Sequence, residues 1–430
     1  MCIEQAKYEN YIAILQEELV PAVGCTEPAC LALAGAKLRE VLGAVPDKIA
    51  VGMSGNLIKN TKSVTIPHSK GMKGIEAALW LGIHGGDAGR GLAVLSSVTD
   101  ADLDKVKESL ADPARCQVEL LADTPAKLHL ILEGTAGQKS ASVEILHAHT
   151  NFVRITRDGR TLLDTGASPA DEEKLTDRSL LNVRDILAFA DSVRLEDVEP
   201  ILRPQIEHNL AIAERGLQGD YGANVGRVLL ESFGDSVSNR AKATAAAASD
   251  ARMDGCQLPV VINSGSGNQG IAASIPVIVY ARHYELPDEE LLRALCVSNL
   301  TAIHQKTRIG RLSAYCGAVS AACGAGAAIT YLLGGDYEDV SDTITNTLAN
   351  VSGILCDGAK ASCAAKIASS VDAAIMGLTM AFRRLKFLDG DGIVQSNVEE
   401  TMAVIGNIAS EGMKKTDVTI IRNMIKQRHD

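Results

Sequence analysis

Four cysteines in the last third of the chain occur as two pairs with the same seven-residue spacing, Cys316 with Cys323 and Cys356 with Cys363. Thiolate sulfur is a soft ligand, and iron–sulfur clusters need several thiolates that converge on one point. No histidine lies near these cysteines in the sequence, which disfavours the mixed Cys and His sites of zinc. Free cysteine is also a common small core residue, so on spacing alone a cluster site and four buried thiols both remain open.

Helix geometry helps to choose among these four thiols. In a continuous helix, Cys316 and Cys323 would be about 10 Å apart, because each residue rises by about 1.5 Å. Asp357-Gly358 is a turn signal, and a loop there can bring Cys356 and Cys363 toward a common centre. We therefore predict the metal ligands Cys316, Cys356 and Cys363, with Cys323 in the core. Three thiolates would leave one iron of a cluster open to a substrate as a Lewis acid.

The segment Gly24-Cys25-Thr26-Glu27-Pro28 lies between two predicted helices. Cys25 would stand at the N-terminus of the second helix, where backbone N–H groups and the helix dipole lower a thiol pKa. Glu27 is placed to orient that thiol or to accept a proton. A helix cap beside a buried cysteine would explain the same residues. We predict a catalytic proton transfer at Cys25, with Glu27 and His149 as its competitors.

A serine- and glycine-rich turn runs from Asn263 to Gly270, between a predicted strand and a predicted helix. Backbone N–H groups in such a turn can bind an anion, including a substrate carboxylate. The turn lacks the G-x-G-x-x-G spacing of a dinucleotide site. We favour substrate binding over a plain flexible turn, and the candidate residues are Ser264, Ser266, Asn268 and Gln269.

Further polar residues follow predicted strands in the first half of the chain. His149 is a candidate acid–base group or substrate ligand, although a surface histidine would look the same in the sequence. The neighbouring candidates for substrate contacts are Asn56, Lys62, Thr150 and Asn151.

Composition limits the class of protein. With 430 residues, of which 46% are hydrophobic, the chain can bury a large core and form two domains. The net charge of −11 provides no basic face, so we expect no nucleic-acid partner. The N-terminus has no signal-peptide pattern, so we expect a cytoplasmic protein with reduced thiols.

An uncharged stretch from Leu312 to Gly335 is long enough to cross a bilayer. It consists mostly of Ala, Gly, Ser and Cys, which insert weakly, so we predict a buried helix and no membrane partner. The Ala- and Gly-rich helices would suit close packing between subunits, and a homo-oligomer is compatible with the sequence.

Hydrophobic periodicity predicts an α+β protein, namely a mainly helical catalytic domain with an inserted or appended α+β domain. Residues 1–44 would form the N-terminal helical part of the catalytic domain, 45–170 the α+β domain and 171–430 the helical cluster-binding domain. The predicted strands are Lys48–Met53, Leu92–Val98, Cys116–Leu121, Leu128–Leu132, Ala141–His147 and Phe152–Thr156. The main predicted helices of the last third are Leu291–Ile303, Leu312–Leu333, Tyr337–Ser352 and Cys363–Leu388.

Taken in order, these segments resemble the L-cysteine desulfidase family, a relative of the iron–sulfur-dependent L-serine dehydratases (alpha chain). The resemblance runs along nearly the whole chain. Its carriers are Val23-Gly24-Cys25-Thr26-Glu27-Pro28, Ser54-Gly55-Asn56, His149-Thr150-Asn151, Ser264-Gly265-Ser266-Gly267-Asn268-Gln269-Gly270, Ile309-Gly310-Arg311-Leu312-Ser313, Cys316-Gly317, and Cys356-Asp357-Gly358-Ala359-Lys360 with Cys363.

The resemblance implies a 4Fe–4S cluster on Cys316, Cys356 and Cys363 and a reactive cysteine at Cys25. Serine dehydratases carry a Ser-Ser-His-Thr type of segment where this chain has Cys25-Thr26-Glu27, which favours a thiol substrate. The implied activity is a carbon–sulfur lyase that converts L-cysteine to hydrogen sulfide, pyruvate and ammonia without pyridoxal phosphate. The alternatives are a dehydratase of L-serine or another β-substituted amino acid with the same cluster, and a non-catalytic iron–sulfur or thiol sensor.

Overall fold

The computed structural model describes residues 3–23, 26–170, 175–310 and 313–426. The chain divides into two compact units. The helical unit comprises Met1–Val23, Leu175–Cys356 and Ala361–Lys414, and the mixed unit comprises Gly24–Lys174, Asp357–Lys360 and Lys415–Asp430. The predicted α+β class with a predominance of helix is confirmed.

The helices in the described part of the chain are α1 (Gln5–Glu18), α2 (Thr26–Leu42), α3 (Gly55–Thr61), α4 (Ile75–Gly85), α5 (Asp100–Leu110), α6 (Val183–Ser192), α7 (Leu195–Gln218), α8 (Val225–Phe233), α9 (Val237–Met253), α10 (Gly267–His283), α11 (Asp288–Ile309), α12 (Gly317–Leu332), α13 (Tyr337–Val351), α14 (Cys363–Ala381), α15 (Val398–Asn407) and α16 (Lys414–Lys426). The strands are β1 (Pro21–Val23), β2 (Lys48–Met53), β3 (Cys116–Leu120), β4 (His129–Ala136), β5 (Lys139–Leu146), β6 (Phe152–Arg157), β7 (Arg160–Asp164) and β8 (Pro259–Val261).

A six-stranded sheet forms the frame of the mixed unit, in the order β3-β2-β4-β5-β6-β7. Strand β2 pairs in parallel with β3 and antiparallel with β4. Along β2, Ile49, Val51 and Met53 are buried, and this period of two turns one face of the strand toward the core. Helices α2 and α4 pack against each other, and a Cβ at Gly82 would come within 1.9 Å of the Ala32 carbonyl oxygen. Glycine is therefore required where these two helices cross.

The helical unit is built on α12, which packs against α10, α11, α13 and α14. Its residues are mostly Ala and Gly, and small side chains let the neighbouring helices approach closely. A Cβ at Gly324 would lie 2.4 Å from the carbonyl oxygen of Ser298 on α11. The predicted buried helix in this stretch is confirmed.

Several observed bounds differ from the predicted ones, including α11, which runs over Asp288–Ile309 instead of Leu291–Ile303. Helix α12 begins at Gly317, so Cys316 caps the helix instead of lying inside it. Helix α14 ends at Ala381, seven residues before the predicted end at Leu388. The strand prediction for residues 92–98 is wrong, because 3₁₀ turns occupy Ala88–Ser97 around a non-helical Gly91. Val94 and Leu95 are both buried in these turns, which accounts for the apolar run that predicted a strand.

By length and composition alone, one described helix, α14, could cross a membrane. Half of its apolar window is buried inside the protein.

Candidate active site

Two of the predicted ligands, Cys316 and Cys356, lie on neighbouring backbone segments of the helical unit. Tyr315 and Leu355 form an isolated antiparallel bridge. On either side of this bridge, the Cys316 N–H donates to the Ile354 carbonyl oxygen at 3.0 Å, and the Cys356 N–H donates to Ala314 at 2.6 Å. The backbone therefore fixes both cysteines at one place.

The third predicted ligand, Cys363, is the first residue of α14, and Cys316 caps α12. Both thiols thus stand at helix N-termini, where the dipole favours negative charge. Burial, together with the nearby Cys356 and Cys363 thiols, raises the pKa of the Cys316 thiol to about 12. The Ala318 N–H and the Lys366 ammonium lower that pKa. Each of the other two thiols therefore influences Cys316 electrostatically.

Lys366 adds a positive charge near this group of thiols. Its Nζ donates to the carbonyl oxygen of Leu355 at 2.8 Å, next to Cys356 in the sequence. An ammonium held there offsets part of the negative charge that several thiolates would bring together. Lys366 was not predicted from the sequence.

Cys323 lies in different surroundings. It is fully buried in the middle of α12, and burial alone raises its thiol pKa. Its sulfur lies 3.9 Å from the carbonyl oxygen of Ile344. These contacts are those of a core residue, as predicted. No disulfide joins any of the eight cysteines that the structure describes.

The three thiols have the soft donor chemistry of iron–sulfur cluster ligands. Among the described residues, no three His, Cys, Asp or Glu side chains are close enough together to hold one ion. A 4Fe–4S cluster places each thiolate on a different iron, so its ligands stand farther apart than those of zinc. Three soft donors, two of which act electrostatically on Cys316, fit such a cluster chemically with an ammonium nearby.

The serine- and glycine-rich turn is a tight hairpin at the start of α10. Asn263 and Ser266 exchange backbone hydrogen bonds of 3.2 and 3.0 Å, and Ser264 and Gly265 have φ values of 50° and 75°. Two successive positive φ angles are typical of a type I′ turn. Ser266 caps α10 without a side-chain hydrogen bond to the helix. The first-turn N–H groups thus have no acceptor from their own helix.

Buried side-chain amides hold this turn in place. Asn263 Nδ2 donates to Asn299 Oδ1 at 2.9 Å, and the Ser264 hydroxyl donates to Asn263 Oδ1 at 2.8 Å. Asn299 in turn exchanges two hydrogen bonds with Gln205. Asn263, Asn299 and Gln205 are completely buried. A satisfied buried network of this kind makes the turn rigid.

The turn lies beside the thiols. A Cβ at Gly317 would come within 2.4 Å of the side-chain Cδ of Gln269, so Gln269 packs directly over the residue after Cys316. Arg252 reaches the same helix end, because a Cβ at Gly267 would lie 2.4 Å from its Nε. Arg252 was not predicted, because it precedes the turn by more than ten residues in the sequence. An arginine at a helix N-terminus is suited to bind a carboxylate.

Asn268, the remaining predicted residue of the turn, contacts side chains of α9. Asn268 Oδ1 accepts hydrogen bonds of 3.3 Å from both Ser249 and Arg252, and its Nδ2 lies 3.5 Å from the Met253 sulfur. Asn268 therefore orients Arg252.

In the mixed unit, Glu27 lies in the first turn of α2 and is held from two sides. Asn60 Nδ2 donates to its Oε1 at 3.0 Å, and the Thr26 hydroxyl lies 3.3 Å from its Oε2. Asn60 also lies 3.4 Å from the predicted substrate ligand Asn56. Asn60 was missed, although Asn56 and Asn60 are four residues apart on α3 and therefore share a face.

His149 is close enough to Glu27 to be affected by its charge. It is half-buried in the loop between β5 and β6. Burial lowers the pKa of His149, and the negative charge of Glu27 partly raises it. The structure thus brings together two of the three predicted proton-transfer residues, and the third, Cys25, lies outside the described residues.

The other predicted residues of the mixed unit have different surroundings. Lys62 is buried, with its Nζ 4.0 Å from Glu76 Oε1. Thr150 and Asn151 are exposed, and Asn151 Nδ2 donates to the Leu146 carbonyl oxygen at 2.9 Å, closing its own loop.

Comparison with known proteins identifies the family. Residues 89–422 match the family model described as serine dehydratase alpha chain. A UPF0597 protein of Lachnoclostridium phytofermentans is 53% identical and aligns with 97% of this chain and 100% of its own length. UPF0597 proteins of Treponema denticola and Fusobacterium nucleatum are 49% and 46% identical, covering 99% and 98% of this chain and 100% of their own lengths.

These matches confirm the predicted kinship with serine dehydratases and indicate a lyase-like protein. The chain belongs to the serine dehydratase alpha chain family.

Proposed function

We propose that this protein is an iron–sulfur-dependent lyase that releases sulfide from L-cysteine without pyridoxal phosphate. The observation that carries the proposal is the backbone bridge that holds Cys316 beside Cys356, with Cys363 at the start of α14 near enough to act on the Cys316 thiol. The family match supports a lyase of the same general class.

Cys316, Cys356 and Cys363 would hold a 4Fe–4S cluster. When bound, such a cluster would supply a Lewis acid at the iron that lacks a protein thiolate. Lys366 would balance part of the negative charge of the three thiolates.

The turn at the start of α10 would bind the substrate carboxylate. Its first-turn N–H groups and the Arg252 guanidinium provide hydrogen bonds and positive charge at one helix end. Ser264, Ser266 and Gln269 would complete the contacts with the amino acid. Gln269 packs over Gly317, so the carboxylate would bind close to Cys316.

A base would remove the α-proton of L-cysteine while the Cβ–S bond breaks and sulfide leaves with the bonding electrons. The aminoacrylate product tautomerises to an imine, which water hydrolyses to pyruvate and ammonia. Glu27, His149 and Cys25 are the candidates for the base. Asn60 and Thr26 hold the Glu27 carboxylate in place, as a proton acceptor requires.

L-serine is the second candidate substrate, and the family match favours it. Water would then leave in place of sulfide, with the same carboxylate and proton contacts. Hydroxide is the poorer leaving group, and Cys25-Thr26-Glu27 departs from the serine dehydratase pattern, so L-cysteine is preferred.

Turnover by oxygen-free protein separates the two substrates. We expect pyruvate and sulfide from L-cysteine with a kcat/KM at least about tenfold above that for L-serine, equivalent to about 1.4 kcal/mol. Treatment with an iron chelator should abolish both reactions. Full activity after complete removal of iron would contradict the proposal. A preference for L-serine would make L-serine the substrate in place of L-cysteine.

A further inference from the structure

Helix α3 contacts two groups of the proposed active site, one through a side chain and one through its backbone. Asn60 Nδ2 donates to Glu27 Oε1 at 3.0 Å. The Lys59 carbonyl oxygen accepts a hydrogen bond of 3.1 Å from the Ala359 N–H. Ala359 lies in the segment between the second and third predicted cluster ligands. One short helix therefore contacts both a candidate base and the segment that joins two candidate ligands.

Helix α3 is too short to hold its shape alone. It has seven residues, and isolated helices shorter than about 12–15 residues are marginal in water. Its start is attached near the beginning of β4, because the Ser54 N–H donates to the His129 carbonyl oxygen and the Ser54 hydroxyl to that of Lys127, both at 2.9 Å. The second turn carries Lys59 and Asn60, so this turn needs an attachment of its own.

The last described helix, α16, supplies this attachment. Lys59 Nζ donates to Asp417 Oδ1 at 2.6 Å. A Cβ at Gly55 would lie 2.5 Å from Ile421 Cδ1, so Ile421 packs directly on the first turn of α3. Asp417 and Ile421 are four residues apart and therefore share one face of α16. That face contacts α3 at both of its turns.

The ion pair between Lys59 and Asp417 is shielded from water. Lys59 is 4% exposed, and the Asp417 side chain is 16% exposed. Loss of one partner of a buried ion pair is costly, because the other charge is left poorly compensated in surroundings that hold little water. Without the Asp417 carboxylate, we expect the Lys59 ammonium to turn toward solvent and to displace the second turn of α3.

We propose that Asp417 and Lys59 are positioning residues that fix the second turn of α3. Fixed in this way, the turn holds Asn60 against Glu27 and keeps Ala359 in place. The inference rests on the proposed function, in which Glu27 is a candidate base and the cysteines hold a cluster. It extends that function, because Asp417 acts on the reaction through other residues. Proton transfer and cluster retention are therefore both sensitive to α16.

Kinetics of the full chain, prepared without oxygen, test the role of the pair. In Asp417→Asn, we expect kcat for L-cysteine to fall at least about tenfold, because small displacements of a catalytic group are costly. KM should change less than about twofold, since the proposed carboxylate contacts lie in the α10 turn. A chelator should also remove iron faster from Asp417→Asn than from the wild type. Asp417→Glu keeps the charge and should recover most of the lost kcat.

Two variants of the mixed unit serve as controls. Lys415→Gln removes an exposed charge from α16, so kcat and iron retention should match those of the wild type. Leu103→Ala removes a core side chain of α5 that is 4% exposed, so stability falls because a cavity forms. Folded Leu103→Ala should nevertheless keep wild-type kcat. Comparison with Asp417→Asn thus separates positioning from a general loss of stability.

Hydrogen exchange in iron-free protein tests the positioning without turnover. The Lys62 N–H donates to the Ile58 carbonyl oxygen at 3.0 Å and closes the last turn of α3. In Asp417→Asn, this amide should exchange at least about tenfold faster than in the wild type or Lys415→Gln, because local opening becomes easier. If the wild type does not convert L-cysteine, the proposed function fails, whereas this measurement still decides whether α16 holds α3.

Three results would overturn the inference. Wild-type kcat and iron retention in Asp417→Asn would show that the ion pair does not affect the site. Unchanged exchange of the Lys62 amide would show that α16 does not fix the second turn of α3. An equal fall in kcat in Leu103→Ala would assign the effect to stability alone.

Discussion

The two units of this protein gather chemically different side chains. The helical unit places the Cys316 and Cys363 thiols at the starts of α12 and α14 and Cys356 beside Cys316, with Lys366 and the α10 turn nearby. The mixed unit brings a carboxylate and an imidazole together, Glu27 and His149, with Asn60 holding the carboxylate. The first set is suited to hold a metal cluster and the second to move a proton. Changes in the two sets should therefore affect different properties, iron content in one case and turnover in the other.

The largest effect is expected from Cys316→Ala. This variant should lose its iron and all lyase activity, because one of three protein ligands is removed. The control is Cys323→Ala on the same helix. Folded Cys323→Ala should keep near wild-type iron content and lyase activity. Iron analysis and pyruvate formation measure the two properties, and equal iron loss in both variants would refute the assignment of Cys323 to the core.

Glu27→Gln should separate turnover from iron content. We expect kcat to fall by about 10²–10⁴-fold, the usual contribution of a general base, with unchanged iron. Asn60→Ala, which removes one hydrogen bond to Glu27, should give a smaller loss in kcat. Iron loss in Glu27→Gln, or wild-type turnover, would remove Glu27 from the proton-transfer group.

Gly358→Ala tests the segment of the mixed unit that separates Cys356 from Cys363 in the sequence. Gly358 has a φ of 96°, and a Cβ there would lie 2.0 Å from the Lys59 carbonyl oxygen, which accepts a hydrogen bond from the Ala359 N–H. We expect a loss of about 2 kcal/mol or more in unfolding free energy, together with lower iron content.

Gly353→Ala is the control for this variant, because its Cβ would meet open space. Denaturant unfolding compares the two variants. Equal stabilities would show that the close contact at Gly358 relaxes freely.

The smallest effect concerns the pKa of His149, which burial lowers below the ordinary 6.5. The unfolded chain therefore binds more protons near this pH, so the group contributes stability above about 6.5 and loses it as pH falls through the folded pKa. Glu27→Gln removes the charge that partly raises this pKa, so the pKa should fall further. An NMR titration of the His149 ring measures it, and an unchanged value would mean that the two side chains do not interact.

The sequence predicted which residues matter around the cysteines better than it predicted where the neighbouring helix begins. Asp357-Gly358 marked the turn before Cys363, and the choice of Cys323 as a core residue agrees with its burial. The start of α12 was missed, because Ala and Gly on both sides of Cys316 give no signal for where the helix begins. Cys316 therefore stands at a helix end that hydrophobic periodicity could not locate.

Residues that act through tertiary contacts were the hardest to predict. Arg252 reaches the α10 turn from the end of α9, and Asn299 holds the turn from α11. No short-range spacing links either residue to the turn, since each is brought there by helix packing. Asn60 was closer to detection, because its four-residue spacing from Asn56 could have been read as one helix face.

Iron and acid-labile sulfide measured in oxygen-free wild-type protein show whether a cluster is bound. We expect about four of each per chain, bound to Cys316, Cys356 and Cys363 and lost together with activity on chelation. A protein that contains no iron and still converts L-cysteine to pyruvate and sulfide would contradict this expectation.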